Sequence, residues 1–132
     1  MIAISGRRRI GKSTLVQHYA KDFKHFIEIQ GLAPVLNKSP QTRRTQQLLH
    51  FSLMISKTFK SAHVLFNDWE DAFRYLAEKI EKKPVLIFLD EVSWMSDGDE
   101  LWPSKLKNAW DLQFKKNLML FNCRSGTHCV VF

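Results

Sequence analysis

Residues 6–13 match the phosphate-binding pattern G-x-x-x-x-G-K-[ST] at every fixed position. Gly6 and Gly11 let the backbone turn closely around phosphate groups, because a side chain at either position would be in the way. The inward-pointing N–H groups of such a loop, together with the positive end of a following helix, attract anions. Lys12 is placed to reach the β- and γ-phosphates, and the hydroxyl of Ser13 is a hard oxygen ligand for Mg²⁺. The segment therefore predicts a site for a nucleoside triphosphate.

The predicted nucleotide-binding residues run from the first glycine to the residue after the serine. They are Gly6, Arg7, Arg8, Arg9, Ile10, Gly11, Lys12, Ser13 and Thr14. For the three arginines two alternatives stay open: a contact with phosphate or a neighbouring subunit, and a solvated loop tip. The pattern indicates a phosphate site only where a strand precedes it and a helix follows it. Residues 1–4 are suited to such a strand and residues 14–20 to such a helix. The alternative is an ordinary glycine-rich turn.

A second chemical motif follows the longest apolar run of the chain, residues 85–89. A continuously apolar strand of this kind is typical of a parallel sheet that is covered on both faces. Asp90 and Glu91 come directly after it, at the edge where open α/β sheets bind ligands. In this Walker B pattern we expect Asp90 to hold Mg²⁺ and Glu91, with Lys12, to be catalytic. The alternative is an ordinary strand that runs into a polar turn. The glutamate next to Asp90 favours hydrolysis of the nucleotide by water over transfer of its phosphate to another substrate.

Size and composition limit the class of protein. A chain of 132 residues is at most one domain, and 45% apolar residues with 10 Phe and 4 Trp are enough for a core. No apolar run is long enough to span a bilayer, so we expect no membrane partner. Cys123 and Cys129 lack the spacing of a metal site, which favours reduced thiols in a cytoplasmic protein. The net charge of +7 leaves a nucleic-acid partner open, although no long basic run occurs.

Two further strands are expected, and polar residues follow the second of them. Residues 24–30 have the composition of a strand ending at Gly31, and residues 118–121 that of a strand ending at Asn122. Because ligands bind at the carboxyl ends of parallel strands, Asn122 is a candidate for sensing the γ-phosphate. The expected fold class is α/β, with a mostly parallel sheet.

Capping residues and apolar spacing predict the helices. Ser39 followed by Pro40 suits the first turn of a helix, and Asn67 with Glu70 resembles a capping box at the start of another. Apolar residues then recur at helical spacing, and Pro84 ends the second pattern. The expected helices cover residues 40–59, 68–82 and 103–114.

Five separated blocks resemble the prokaryotic "archaeal ATPase" family, a part of the AAA+/STAND group of P-loop ATPases. They are residues 4–16, 26–32, 68–73, 89–95 and 105–111. The resemblance implies a three-layer α/β/α fold with strand order 5-1-4-3-2 and ATP as the nucleotide. It also implies Mg²⁺-dependent hydrolysis by Lys12, Ser13, Asp90 and Glu91, with oligomerisation and an unidentified protein or DNA partner as open expectations.

The chain also departs from the family pattern. It starts on the first strand, and residues 122–132 do not resemble the family's continuation, so we expect a partial core over 1–121 and a divergent, frameshift-like tail. The fifth strand and helical lid would then be missing, which leaves the first strand at a sheet edge unless residues 127–132 replace it. Weak or absent turnover is expected, and a non-hydrolysing switch or interaction module, or an inactive gene fragment, is the alternative.

Overall fold

Four strands form one sheet in the computed structural model of the chain, which describes residues 2–5, 25–80, 85–114 and 118–123. The strands are β1 (Ile2–Ser5), β2 (His25–Gln30), β3 (Val85–Asp90) and β4 (Leu118–Cys123). All three neighbouring pairs are parallel, and the order is β1-β4-β3-β2. The predicted α/β class is confirmed, and the order agrees with the one that the resemblance implies for these four strands.

Several predictions concern residues outside the described ranges. They are the phosphate-binding loop from Gly6 to Thr14, the helix over 14–20 and the tail over 124–132, where a replacement for the fifth strand over 127–132 was the alternative. The expected lack of a fifth strand and of a helical lid is not tested either. All of these stay predictions.

The described residues contain four α-helices, all of which lie between strands of the sheet. They are α1 (Pro40–Phe59), α2 (Trp69–Lys79), α3 (Val92–Met95) and α4 (Trp102–Ala109), and a π-helical turn (Trp110–Phe114) continues α4. The start of α1 is as predicted, because Ser39 Oγ accepts a hydrogen bond from the Thr42 N–H at 3.2 Å. None of the helices in the described part of the chain is long and apolar enough to cross a membrane.

The capping box predicted at the start of α2 is wrong. The residue that precedes the helix is Asp68 rather than Asn67, and its side chain makes no capping hydrogen bond. The Asp68 carboxylate instead contacts Arg44 Nη2 and Lys105 Nζ, the latter at 2.7 Å. Two cations distant in sequence therefore outcompete the local cap.

The other helix boundaries differ less. The helix predicted to reach residue 82 ends at Lys79, with Ile80 as its C-cap, and residues 81–84 lie outside the described ranges. The single helix predicted over 103–114 is α4 followed by the π-helical turn. The segment after Glu91, for which no helix was predicted, forms the short helix α3.

The core is centred on β3, all six residues of which are buried. Ile87 and Leu89 belong to the same buried cluster as residues of α1, α2 and α4. Leu86 and Phe88 are also fully buried, and successive side chains of a strand point to opposite faces, so both faces of β3 are shielded from solvent. The continuously apolar sequence of this strand is explained by its double burial.

Edge-to-face aromatic contacts join the helices of this core. The ring centroids of Phe51 and Trp69 are 5.0 Å apart, and those of Trp69 and Trp102 are 5.9 Å apart. Phe73 lies within 6.0 Å of Phe51 and 5.9 Å of Trp102. Such pairs add to the free energy of burial, and they join α1, α2 and α4 into one layer against the sheet.

An ion-pair cluster ties the same three helices together at their polar rim. Lys105 Nζ lies 2.7 Å from Asp68 and 2.8 Å from Asp99, and Arg44 Nε lies 3.3 Å from Asp99. Partial burial alone would raise the pKa of Asp68, but hydrogen bonds from Lys105 and Arg44 outweigh it and lower the pKa. Burial alone would lower the pKa of Lys105, but the hydrogen bonds that it donates to Asp68 and Asp99 outweigh this effect and raise the pKa. Both groups therefore stay charged through the neutral pH range.

Candidate functional site

The carboxyl ends of the four parallel strands meet at one edge of the sheet. Gln30 pairs with Asp90 across β2 and β3, and Ser5 pairs with Cys123 across β1 and β4. The phosphate-binding pattern begins with Gly6, the residue directly after β1. β4 lies between β1 and β3, so the ends of β1 and β3 are two strand spacings, or about 10 Å, apart. Ser5, the residue before the pattern, and Asp90 are thus brought to the same edge from positions 85 residues apart in the sequence.

Asp90 is the last residue of β3 and is only 4% exposed. Its Oδ1 accepts a hydrogen bond from the Glu91 N–H at 2.9 Å, and its carbonyl accepts one from the Gly31 N–H at 2.9 Å. Both the side chain and the backbone of Asp90 are therefore held in place. A buried carboxylate is costly unless it is partnered, and its hard oxygens are the ligand type that Mg²⁺ takes.

Glu91 follows in the left-handed region, at φ 55° and ψ 51°. For a residue with a side chain this conformation costs about 1 kcal/mol, and the surrounding contacts have to offset that cost. The Glu91 carbonyl accepts hydrogen bonds from the N–H groups of Trp94 and Met95, both at 3.0 Å. These bonds start α3 and fix the turn by which the chain leaves the sheet. The direction of the Glu91 side chain is set by this turn.

Gly31 completes the turn from the neighbouring strand. A Cβ atom at this position would lie 2.6 Å from the Glu91 carbonyl oxygen and 2.8 Å from the Met95 nitrogen. Real Cβ atoms do not approach backbone so closely, so only glycine fits. Sequence reasoning placed Gly31 at the end of a strand but missed this contact, which joins two segments 60 residues apart.

Helix α1 contributes a polar clamp on the segment that follows β2. The Gln47 side chain is 3% exposed, its Oε1 accepts from the Leu32 N–H at 3.0 Å, and its Nε2 donates to the Leu32 carbonyl at 2.6 Å. Sequence reasoning used only the apolar spacing of this helix and missed Gln47. The available signal was a glutamine four residues before Phe51, on the same face as the apolar stripe.

His50, one turn further along α1, also reaches this segment. Burial lowers the pKa of its imidazole and the charge of Lys57 lowers it further, while a hydrogen bond to the backbone of Gln30 raises it; the net shift is downward. The imidazole is therefore neutral at pH 7. Both α1 side chains thus contact backbone at the carboxyl end of β2.

The remaining predicted site residues are only partly described. Asn122 lies in β4, in register with Ile4 of β1, which puts its backbone at the candidate edge. Gly6, Arg7, Arg8, Arg9, Ile10, Gly11, Lys12, Ser13 and Thr14 lie outside the described residues. No group of three or more His, Cys, Asp or Glu side chains in the described ranges could hold a metal ion. A Mg²⁺ ion that arrives with phosphates needs only one or two carboxylates, so Asp90 suits it without such a group.

Comparison with known proteins adds a family-level finding. A family model described as an AAA domain matches residues 1–123 of the chain. The match spans both motifs and all four strands of the sheet. No match was found among curated proteins.

Proposed function

Because this chain belongs to the AAA domain family, as the match over residues 1–123 shows, we propose that it binds ATP with Mg²⁺ and hydrolyses it with water. The family suggests a nucleotide-binding domain of the ATPase type. The choice of ATP, the metal and the hydrolysis are the finer parts of the proposal. Residues 6–14, with their complete phosphate-binding pattern, are the proposed nucleotide loop.

One observation carries the proposal, namely that Asp90 and Glu91 lie at the edge of the sheet where the phosphate-binding pattern begins. The register of the four parallel strands brings the ends of β1 and β3 to that edge, on either side of β4. The ends of β1 and β3 lie about 10 Å apart, which leaves room for a triphosphate between them. This supports one shared site rather than two unrelated turns.

The proposed roles follow from the chemistry of each group. Lys12 neutralises charge on the β- and γ-phosphates, and Ser13 and Asp90 are the metal ligands. Bound Mg²⁺ would neutralise charge that develops on the phosphates. Glu91 accepts a proton from the attacking water or orients it, and its turn is fixed by Gly31, Trp94 and Met95.

The finer family and fold assignments belong to the same proposal. The five blocks support the archaeal-type branch of AAA+ ATPases, and the double burial of β3 supports a three-layer α/β/α arrangement. The matched region ends at residue 123, two residues beyond the predicted boundary at 121, which supports a core domain over 1–121. Asn122 is proposed as the γ-phosphate sensor at the end of β4.

The direct test measures inorganic phosphate released from ATP by the purified chain. Protein is kept in excess over ATP, so that even a slow single turnover is detected. We expect phosphate release in the presence of Mg²⁺ and its loss when EDTA removes the metal, since the developing charge on phosphate is then unscreened. No release, or release that EDTA leaves unchanged, would contradict the proposal.

A further inference from the structure

We infer that Gln47 is a positioning residue for Glu91: by clamping Leu32 it holds Gly31 against the Glu91 turn and so orients the carboxylate that activates water. This inference rests on the proposed hydrolysis for its effect on rate. Its structural part, that the α1 clamp determines the geometry of the turn after β3, can be tested without any turnover.

The first step is the clamp itself. Both polar atoms of the Gln47 amide bond to a single residue, Leu32, at 3.0 Å and 2.6 Å. The amide thus takes the place of a neighbouring strand for Leu32, the second residue beyond the β2–β3 ladder, which ends where Gln30 pairs with Asp90. A glutamine that is 3% exposed would be costly without partners, and these two bonds satisfy its donor and acceptor together.

The second step passes from Leu32 to its neighbour in the chain. Gly31 donates to the Asp90 carbonyl at 2.9 Å, and a Cβ added to it would lie only 2.6 Å from the Glu91 carbonyl oxygen and 2.8 Å from the Met95 nitrogen. Fixing Leu32 on one side and Asp90 on the other leaves Gly31 little freedom to move. The Glu91 turn, which packs on Gly31, is held from outside its own strand.

The third step concerns the strain at Glu91. A left-handed φ of 55° at a glutamate persists only where surrounding contacts over-determine it. Those contacts are the N–H groups of α3 on one side and Gly31 on the other. Loosening the clamp therefore frees Glu91 to relax toward ordinary backbone angles, which re-aims its side chain.

Amide hydrogen exchange of the full chain tests the structural part. In Gln47→Leu we expect the amides of Gly31, Trp94 and Met95 to exchange about tenfold faster than in the wild type, since loss of one such hydrogen-bonded partner is worth about a factor of ten. The amides of α2, such as Ala72, serve as the reference within the same protein. Unchanged exchange at the three amides, or an equal acceleration throughout α2, would overturn the inference.

A matched variant tests whether the effect depends on the Leu32 clamp or on any Gln-to-Leu substitution in α1. Gln46→Leu makes the same substitution one residue earlier in α1, at a half-buried site outside the Leu32 clamp. We expect it to leave exchange at Gly31, Trp94 and Met95 at the wild-type rate. If Gln46→Leu accelerates those amides as much as Gln47→Leu does, the clamp is not the cause.

Turnover tests the functional part through a double-mutant cycle. Gln47→Leu should lower kcat about tenfold while the KM for ATP stays within about twofold, and it should lower kcat no further in a Glu91→Gln background. Equal effects in both backgrounds would mean that Gln47 does not act through Glu91 and would overturn the inference. If the wild type shows no turnover that depends on Glu91, the proposed hydrolysis fails, and hydrogen exchange alone still decides whether Gln47 positions the turn.

Discussion

Glu91→Gln is expected to lower the rate of ATP hydrolysis by about 10²-fold or more while leaving nucleotide affinity nearly unchanged, because a general base contributes about that much to rate. The amide is the same size as the carboxylate and can keep the turn at φ 55°, but it cannot accept a proton from water. The measurement pairs single-turnover phosphate release with equilibrium binding of ATP. A drop in rate without a drop in affinity is the signature of a group that acts in the chemical step.

The control for this substitution is an exposed glutamate nearby. Glu100→Gln removes the same charge at an exposed position in the turn that precedes α4, nine residues after Glu91. We expect it to hydrolyse ATP at the wild-type rate. If Glu91→Gln also retains wild-type hydrolysis, the proton acceptor lies elsewhere. The non-hydrolysing alternative gains support only if the wild type and both variants release no phosphate.

Gly31→Ala is expected to impair both stability and turnover. The added methyl would lie 2.6 Å from the Glu91 carbonyl oxygen and 2.8 Å from the Met95 nitrogen, so the Glu91 turn or β2 must move. Overpacking against backbone typically costs about 1–3 kcal/mol of unfolding free energy. Displacement of the Glu91 turn should in addition lower the rate of hydrolysis by about tenfold or more, because catalytic geometry tolerates shifts of only about 1 Å. Urea unfolding and phosphate release measure the two effects.

A second glycine provides the matched comparison for this prediction. Gly98 has φ 80°, and a Cβ there would lie 2.3 Å from the Pro40 carbonyl oxygen, so Gly98→Ala should also destabilise the fold. Its contacts are with the start of α1 rather than with the Glu91 turn. Under conditions in which both variants are folded, we expect hydrolysis to fall only in Gly31→Ala. An equal loss of turnover in both would mean that general destabilisation, not displacement of Glu91, is responsible.

Local signals predicted those elements that local forces determine. The start of α1 follows from Ser39 and Pro40, whose capping hydrogen bond and fixed φ act within one turn. The strand β3 was predicted from its unbroken apolar run, because such a run is typical of a strand that is buried on both faces. The candidate carboxylates were found in the same way, because Asp90 and Glu91 directly follow that run.

The sequence did not reveal features that depend on long-range contacts. The capping box at α2 was wrong because Arg44 and Lys105, 24 and 37 residues from Asp68, hold its carboxylate. Gly31 and Gln47 were missed as site residues for the same reason. Their partners are the Glu91 turn and the Leu32 backbone, and no spacing rule in one sequence relates them. Local rules therefore identified the chemical groups, and tertiary contacts supplied the residues that hold them.

Thermal unfolding with and without Mg-ATP tests the central claim, that this chain has a working nucleotide site, most directly. A ligand that binds only the folded state at a hundred times its Kd adds about 2.7 kcal/mol of stability, and we predict a clear rise in Tm of the wild type. The same ligand should leave the Tm of Lys12→Ala unchanged, since that variant lacks the proposed contact with the β- and γ-phosphates. A Tm that Mg-ATP does not raise in the wild type, or raises equally in Lys12→Ala, would contradict the account.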